Sequence, residues 1–247
     1  MKIISLVPSI TELLFDLGLK DQLIGRTKFC IHPMPEVKEI PQFGGTKGLH
    51  VDKIIAANPS LIIANREENL KSEVEELQKY CDVLITDVAT LEENNEMILQ
   101  IGKRTHTYAQ AELIVEEINE NFAELETIFE PSSVLYFIWK DPYMSIGKDT
   151  FIHEMIQLAG FKNVCEEESR YPEITKDSNL NSDYIFLSSE PYPFQEKHIE
   201  EINKLFPNAK CVLVDGEMFS WYGSRMRLAP AYFKDLRKRI KALNKGI

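Results

Sequence analysis

The segment Thr105–Phe129 reads THTYAQAELIVEEINENFAELETIF. Tyr108, Ala111, Val115, Ile118, Phe122, Leu125 and Phe129 recur every three to four residues, which lays one apolar stripe along an α-helix. Glu112, Glu116, Glu117, Glu120 and Glu124 fall on its other faces, and Pro131 stops the run. A helix of about 25 residues would be roughly 37 Å long. Crossover helices in α/β units are typically about half that length. The spacing therefore predicts a spacer that holds two lobes apart; the alternative is a long surface helix on one domain.

Both flanks support the first reading. Before the spacer, the apolar runs Ile3–Val7, Leu23–Gly25, Leu61–Ala64 and Val83–Thr86 read as short strands. Between and after them, helical patterns cover Ser9–Leu17, Val51–Ala57, Leu70–Tyr80 and Leu91–Lys103. Ser9 and Glu12 have the spacing of a capping box, with Pro8 ahead of them and Gly18 placed to end the helix. After residue 131 the pattern restarts. Val134–Ile138, Tyr184–Leu187 and Cys211–Val214 read as strands, and Thr150–Leu158, Phe194–Leu205 and Ala229–Leu243 as helices. Strands alternating with helices indicate right-handed crossovers and parallel sheets. The expected fold is α/β, two lobes with mostly parallel sheets joined by one long backbone helix. Its parts are an N-terminal lobe at 1–104, the helix at 105–130 and a C-terminal lobe at 131–247. The halves share an order of elements, not a sequence repeat.

Composition narrows the partners. The chain has 247 residues, 44% hydrophobic and 27% charged, with a formal net charge of −11. That is ordinary for a folded globular chain, and its acidic field disfavours nucleic acid and anionic membrane surfaces. The basic run from Lys234 to Lys245 has the spacing of a solvated helix face. No stretch approaches the roughly 18 apolar residues that span a bilayer, so a membrane-spanning chain is not expected. Met1 leads straight into Ile3–Val7 without a basic start or cleavage site. As the sequence stands it reads as cytoplasmic, or as periplasmic or cell-surface if a leader has been removed. Cys30, Cys81, Cys165 and Cys211 form no C-x-x-C pair and read as buried thiols.

The opening run, Ile4-Ser5-Leu6-Val7-Pro8-Ser9-Ile10-Thr11-Glu12-Leu13-Leu14-Phe15, carries a resemblance. So do Gly44-Gly45-Thr46, Val51-Asp52-Lys53-Ile54 and Asn58-Pro59-Ser60-Leu61-Ile62-Ile63-Ala64. These blocks and the long helix resemble the helical-backbone metal receptors. That family comprises the class III substrate-binding proteins of ABC importers for cobalamin, haem and ferric siderophores, and the likeness is greatest to its cobalamin-binding branch. The resemblance implies a cleft between two lobes with little hinge motion. It also implies an ABC permease as partner, and one docking carboxylate per lobe, with Glu75 and Glu200 as candidates.

Physical reasoning places the ligand at the carboxyl ends of the strands. These are Pro8-Ser9, Asn65-Arg66-Glu67, Trp139-Lys140, Ser188-Ser189-Glu190 and Asp215-Gly216-Glu217. Three nearby loops, Thr27–Pro33, Ser188–Phe194 and Glu217–Arg225, are rich in aromatic and hydroxyl groups. Flat rings supply contact area and a few polar groups fix orientation. The candidate ligand-binding residues are Phe29, Cys30, His32, Lys47, Arg66, Glu190, Tyr192, Phe194, Trp221, Tyr222 and Arg225. For each one alone, packing of the loop onto its lobe is the competing role. Lys28, Lys47, Arg66, Arg170 and Arg225 stand out against the acidic whole, and several facing one ligand would favour negative groups on it. Cys30 and His32, with Glu190 or His153, invite a metal site, but two ligands on one loop do not define one. No protein-held metal and no intrinsic cofactor are expected; a metal-chelate ligand would bring its own cobalt or iron.

There is no Gly-x-Ser-x-Gly elbow and no phosphate loop, so no catalytic residue is assigned. The leading expectation is a substrate-binding protein holding a cobalamin-like or ferric-siderophore-like ligand for an ABC importer. The alternative is a cytosolic relative of this fold, a sensor or enzyme acting on a small anionic ligand.

Overall fold

The computed structural model describes residues 1–127, 130–175, 178 and 180–244. The chain divides into two units. The first consists of Met1–Val88, Glu92–Ile118 and Tyr222–Arg227; the second of Ala89–Leu91, Asn119–Trp221 and Leu228–Ile247. Each holds a four-stranded, all-parallel sheet.

In the first unit, β1 (Ile3–Ser5) pairs with β2 (Leu23–Arg26) and β3 (Leu61–Asn65), and β3 with β4 (Val83–Thr86), giving the order β2-β1-β3-β4. Ile3 faces Leu61 across the ladder, Ile4 faces Ile62 and Ser5 faces Ile63. Every residue of β1 and β3 is buried, as expected of parallel strands covered on both faces. Ile4, Leu6, Ile62 and Ala64 pack with Ile54 of α2 (Val51–Ala56) and with Val74 and Leu77 of α3 (Lys71–Leu77). The other helices of this unit are α1 (Pro8–Asp16), α4 (Leu91–Thr105) and the first part of α5 (Tyr108–Ala123).

The second unit has the same order in its own strands. It runs β6 (Lys162–Asn163), β5 (Ser133–Phe137), β7 (Tyr184–Ser188), β8 (Lys210–Val214). Period-two alternation sorts its side chains by type. On one face Leu135, Phe137, Ile185 and Leu187 pack with Ile202 of α7 (Glu196–Leu205). In the alternate register, Tyr136 and Phe186 meet rings from Phe161, Phe219 of α8 (Glu217–Ser220) and Phe233 of α9 (Ala229–Asn244). Centroid separations are 5.3 Å for Tyr136–Phe219 and 5.0 Å for both Phe161–Phe186 and Phe219–Phe233, within the range of favourable aromatic pairs. Helix α6 (Phe151–Leu158) starts at Thr150, whose hydroxyl caps the amide of His153.

The spacer helix is shorter than its stripe predicts. Thr105 ends α4, because His106 takes a left-handed φ of 60° and Thr107 N–H bonds back to Gly102. Helix α5 then runs from Tyr108 to Ala123, 16 residues, and the change of unit falls inside it after Ile118. Its end has a cause: Leu125 N–H turns to the Phe122 carbonyl, and the Arg237 guanidinium takes the Glu126 carbonyl at 3.0 Å. Ala111, Ile114, Ile118 and Phe122 form the buried face; Val115 is only half-buried. Phe129 lies outside the described residues.

The expected capping box at Ser9 and Glu12 does not form. Val7 is the N-cap of α1, without a side-chain bond, and Pro8 supplies the first turn. Glu12 is instead held by Arg225 through two bonds of 2.7 Å. Arg225 belongs to Tyr222–Arg227, a strap that sequence alone assigns to the C-terminal lobe but that completes the first unit. Along this strap Gly223 N–H donates to Asn94, Tyr222 O–H to Glu68, and Arg227 pairs with Asp16 and Glu117. Gly223 has φ +90°, and a β-carbon there would meet the Ser9 carbonyl oxygen at 3.3 Å, so glycine lets the strap approach α1.

The side chains of Arg225 and Glu12 are only 9% and 15% exposed. Burial holds the Glu12 carboxyl above its ordinary range although Arg225 pulls it down. Such a pair contributes little net stability, but removing one partner strands a charge. Glu12→Ala or Arg225→Ala should therefore each cost about 3 kcal/mol in urea denaturation. The double variant should lose less than the sum of the two; strict additivity would show that the pair does not couple the strap to α1.

Candidate functional site

In a parallel sheet the loops beyond the strand carboxyl ends are where side chains can converge on a ligand, above all where crossovers diverge. In the first unit that point lies between β1 and β3, and in the second between β5 and β7.

Two buried asparagines build the loop after β3. Asn65 accepts amide bonds from Glu67 and Glu68 on its side-chain oxygen and donates to Thr86, while Asn69 donates to the Leu6 and Thr46 carbonyls. The loop presents Arg66, which is exposed and bound to Asp87 at 2.8 Å. The loop after β2 hangs on Arg26, a buried guanidinium whose donors take the carbonyls of Val37, Thr27 and Cys30. Cys30 points inward at 1% exposure, with its sulfur 3.0 Å from the Thr11 hydroxyl and 3.2 Å from that of Thr27. Burial pushes this thiol up, so it anchors the loop and is not a thiolate ligand. What the loop shows to solvent is apolar: Phe29, Ile31 and Met34 are each about half exposed, and the Lys28 ammonium sits 5.0 Å from the Phe29 ring centre. His32 is half-buried, close enough for electrostatic interaction with Glu12, and Lys47 is exposed.

In the second unit the chain leaves β5 through Ile138 and Trp139, then doubles back so that Met144 bridges Trp139. Trp139 is 42% exposed. Beyond β7, Tyr192 N–H bonds to the Ile138 carbonyl, which sets the Tyr192 ring edge-on to Trp139 at 5.8 Å. Phe194 lies beneath, buried, 4.7 Å from Tyr192. Glu190 is half-buried; it accepts bonds from the Ser220 hydroxyl and from Trp221. Burial nevertheless holds its carboxyl above the usual range, helped by the charges of Glu217 and Asp215.

The residues selected from sequence thus separate into two groups. Phe29, His32, Lys47, Arg66, Glu190 and Tyr192 stand at strand-end loops with some exposure, whereas Cys30, Phe194, Trp221 and Tyr222 are buried. Tyr222 is enclosed, with burial and Glu68 driving its hydroxyl far above the ordinary range, and Arg225 is spent on Glu12. Trp139 is the residue that selection omits. Its signal is an indole directly after the apolar run of β5, at a strand end already named. Among the described residues no group of three or more His, Cys, Asp or Glu side chains is arranged to hold a metal ion. Among them, too, no helix is long and apolar enough to cross a membrane.

Comparison with known proteins decides the family. A family model described as periplasmic binding protein matches residues 3–206. The chain belongs to the periplasmic binding protein family. It is 29% identical over 198 residues to an uncharacterized ABC transporter substrate-binding lipoprotein, YvrC, of Bacillus subtilis. That alignment covers 74% of this chain and 62% of the lipoprotein's length. It is 24% identical over 236 residues to a vitamin B12-binding protein of Photorhabdus laumondii, covering 93% of this chain and 85% of that one. Its fold matches a solved structure of a possible iron-binding, periplasmic solute-binding protein from Staphylococcus epidermidis. The TM-score is 0.80 at 24% identity, covering 97% of this chain and 98% of that chain.

The raised Glu190 carboxyl has a stability consequence. Its folded value lies above the unfolded one, near 4.3, so the folded protein binds more protons between the two. Stability attributable to this group is therefore full below the unfolded value and is lost as pH rises through the folded value. Glu190→Gln should melt higher than wild type at pH 7, with the difference shrinking towards pH 4. An equal difference at both pH values would show that Glu190 is not held protonated by burial.

Proposed function

We propose that this periplasmic binding protein is the ligand-binding component of an ABC importer. Its cargo is a metal chelate of the corrinoid or ferric-siderophore kind that brings its own cobalt or iron. The observation that carries the reading is the family match over residues 3–206 together with exposed aromatic rings at strand carboxyl ends, Phe29 in one unit and Trp139 with Tyr192 in the other. Rings of this kind supply flat contact area for a bulky chelate, and they are not assembled as a reaction centre. The names of the B12-binding and substrate-binding relatives support the ligand class and the importer role.

Charge favours this over the small-anion reading. Arg66 is paired with Asp87, Arg225 with Glu12, Arg227 with Asp16 and Glu117, and Lys140 with Glu201. A small anion would have to compete with carboxylates already in place, whereas a large chelate gains mainly from ring contact.

Calorimetric titration with cyanocobalamin, haem and a ferric catecholate siderophore tests the proposal. One of the three should bind at micromolar affinity or tighter; no binding of any would sink it. Trp139→Ala should weaken that binding by roughly tenfold or more, as truncation of an aromatic anchor does, and unchanged affinity would move the contact surface elsewhere.

A further inference from the structure

His198 occupies an unusual place for an imidazole. It is the third residue of α7, only 7% exposed, and it takes the part that Glu or Gln normally plays in a capping box. Its Nδ1 accepts the Gln195 backbone N–H at 2.9 Å, while the Gln195 side chain accepts the backbone N–H of His198. The other ring nitrogen, Nε2, lies 3.3 Å from the Tyr192 hydroxyl.

Counting hydrogens settles who donates. A backbone amide can only donate, so Nδ1 must be bare, and the one hydrogen of the neutral ring sits on Nε2. Protonating Nδ1 would set donor against donor at Gln195. Nε2–H therefore donates to the Tyr192 oxygen, and the Tyr192 hydroxyl hydrogen is left over from this bond. The ring itself is held by edge contacts to Phe194 and His198, with centroids at 4.7 and 5.5 Å, and Phe194 stands edge-on to His198 at 5.6 Å. The charged and titratable groups around the imidazole are few. Glu201, one turn along α7, interacts with it electrostatically, but that carboxylate is bonded to Lys140 and to the Tyr143 hydroxyl from the loop after β5. Tyr192 is the remaining one.

We propose that His198 is a positioning residue, which aims the Tyr192 hydroxyl as a donor at an acceptor oxygen on the rim of the ligand, an amide carbonyl or a carboxylate. The aromatic pair Trp139 and Tyr192 then supplies both contact area and one directional bond. This proposal rests on the ligand-binding reading above and adds to it a specific polar contact.

The experiment has two arms, both on the full chain. Long-range nitrogen–proton NMR of the unliganded protein at pH 7.5 should show His198 neutral, protonated at Nε2 and bare at Nδ1; the opposite tautomer overturns the proposal. Calorimetry then uses whichever of cyanocobalamin, haem and ferric catecholate the wild-type protein binds. Tyr192→Phe should bind about five- to tenfold more weakly, the effect of one neutral hydrogen bond. His198→Phe should show a similar loss, and His198→Gln should recover affinity because its amide can both accept from Gln195 and donate to Tyr192. Wild-type affinity in Tyr192→Phe overturns the proposal and leaves the importer reading standing. Failure of the wild type to bind any probe overturns the importer reading, and the ligand contact falls with it whatever the tautomer.

Discussion

Parallel pairing governs this molecule. Strands that run the same way cannot be joined by a tight turn, so every connection must cross a face of the sheet and all carboxyl ends collect on one edge. The crossovers bury β1, β3 and β7 on both faces, and each sheet sends its strand-end loops the same way. The Asn65–Asn69 network, the Arg26 hub and the turn that pairs Trp139 with Met144 are what those loops need once there. Each supplies backbone groups with partners where the ladder has ended. The side chains left facing outward are the ones free to meet something else.

The identical strand order of the two units shows how one solution serves two interiors. One unit is lined by aliphatic side chains such as Ile4, Ile62 and Leu77; the other adds a layer of stacked rings around Tyr136, Phe186 and Phe219. The order of elements is preserved, but the chemistry that fills it is not. Family membership is accordingly visible in the opening strand and helix and in the topology, while the residues that meet ligand follow no shared pattern.

What can be read from sequence tracks how local its cause is. β4 is found at Val83–Thr86, the range expected, and most helices within one or two residues, because periodicity and flanking Gly or Pro act within a few positions. Non-local partners defeat that reading. Glu12 has capping spacing, but Arg225, more than two hundred positions away, claims it. The stripe of α5 continues in sequence past Ala123, yet Arg237 draws the chain off at Glu126. Trp221, Tyr222 and Arg225 read as a binding cluster because aromatic and arginine residues mark both contact surfaces and interiors; burial separates the two roles, and burial is a property of the whole chain. Conversely, the capping box that does form uses His198, a residue type outside the usual motif.

The strap at Tyr222–Arg227 bears on how this protein comes into being on the ribosome. The first unit begins with Met1, but it lacks its buried counter-charge for Glu12 until translation has passed nine-tenths of the chain. Folding as a unit in order of synthesis, the usual course for an N-terminal domain, is therefore closed to it. A nascent chain spends most of its synthesis with that helix unfinished, and a premature stop after Trp221 damages the beginning of the protein as surely as its end.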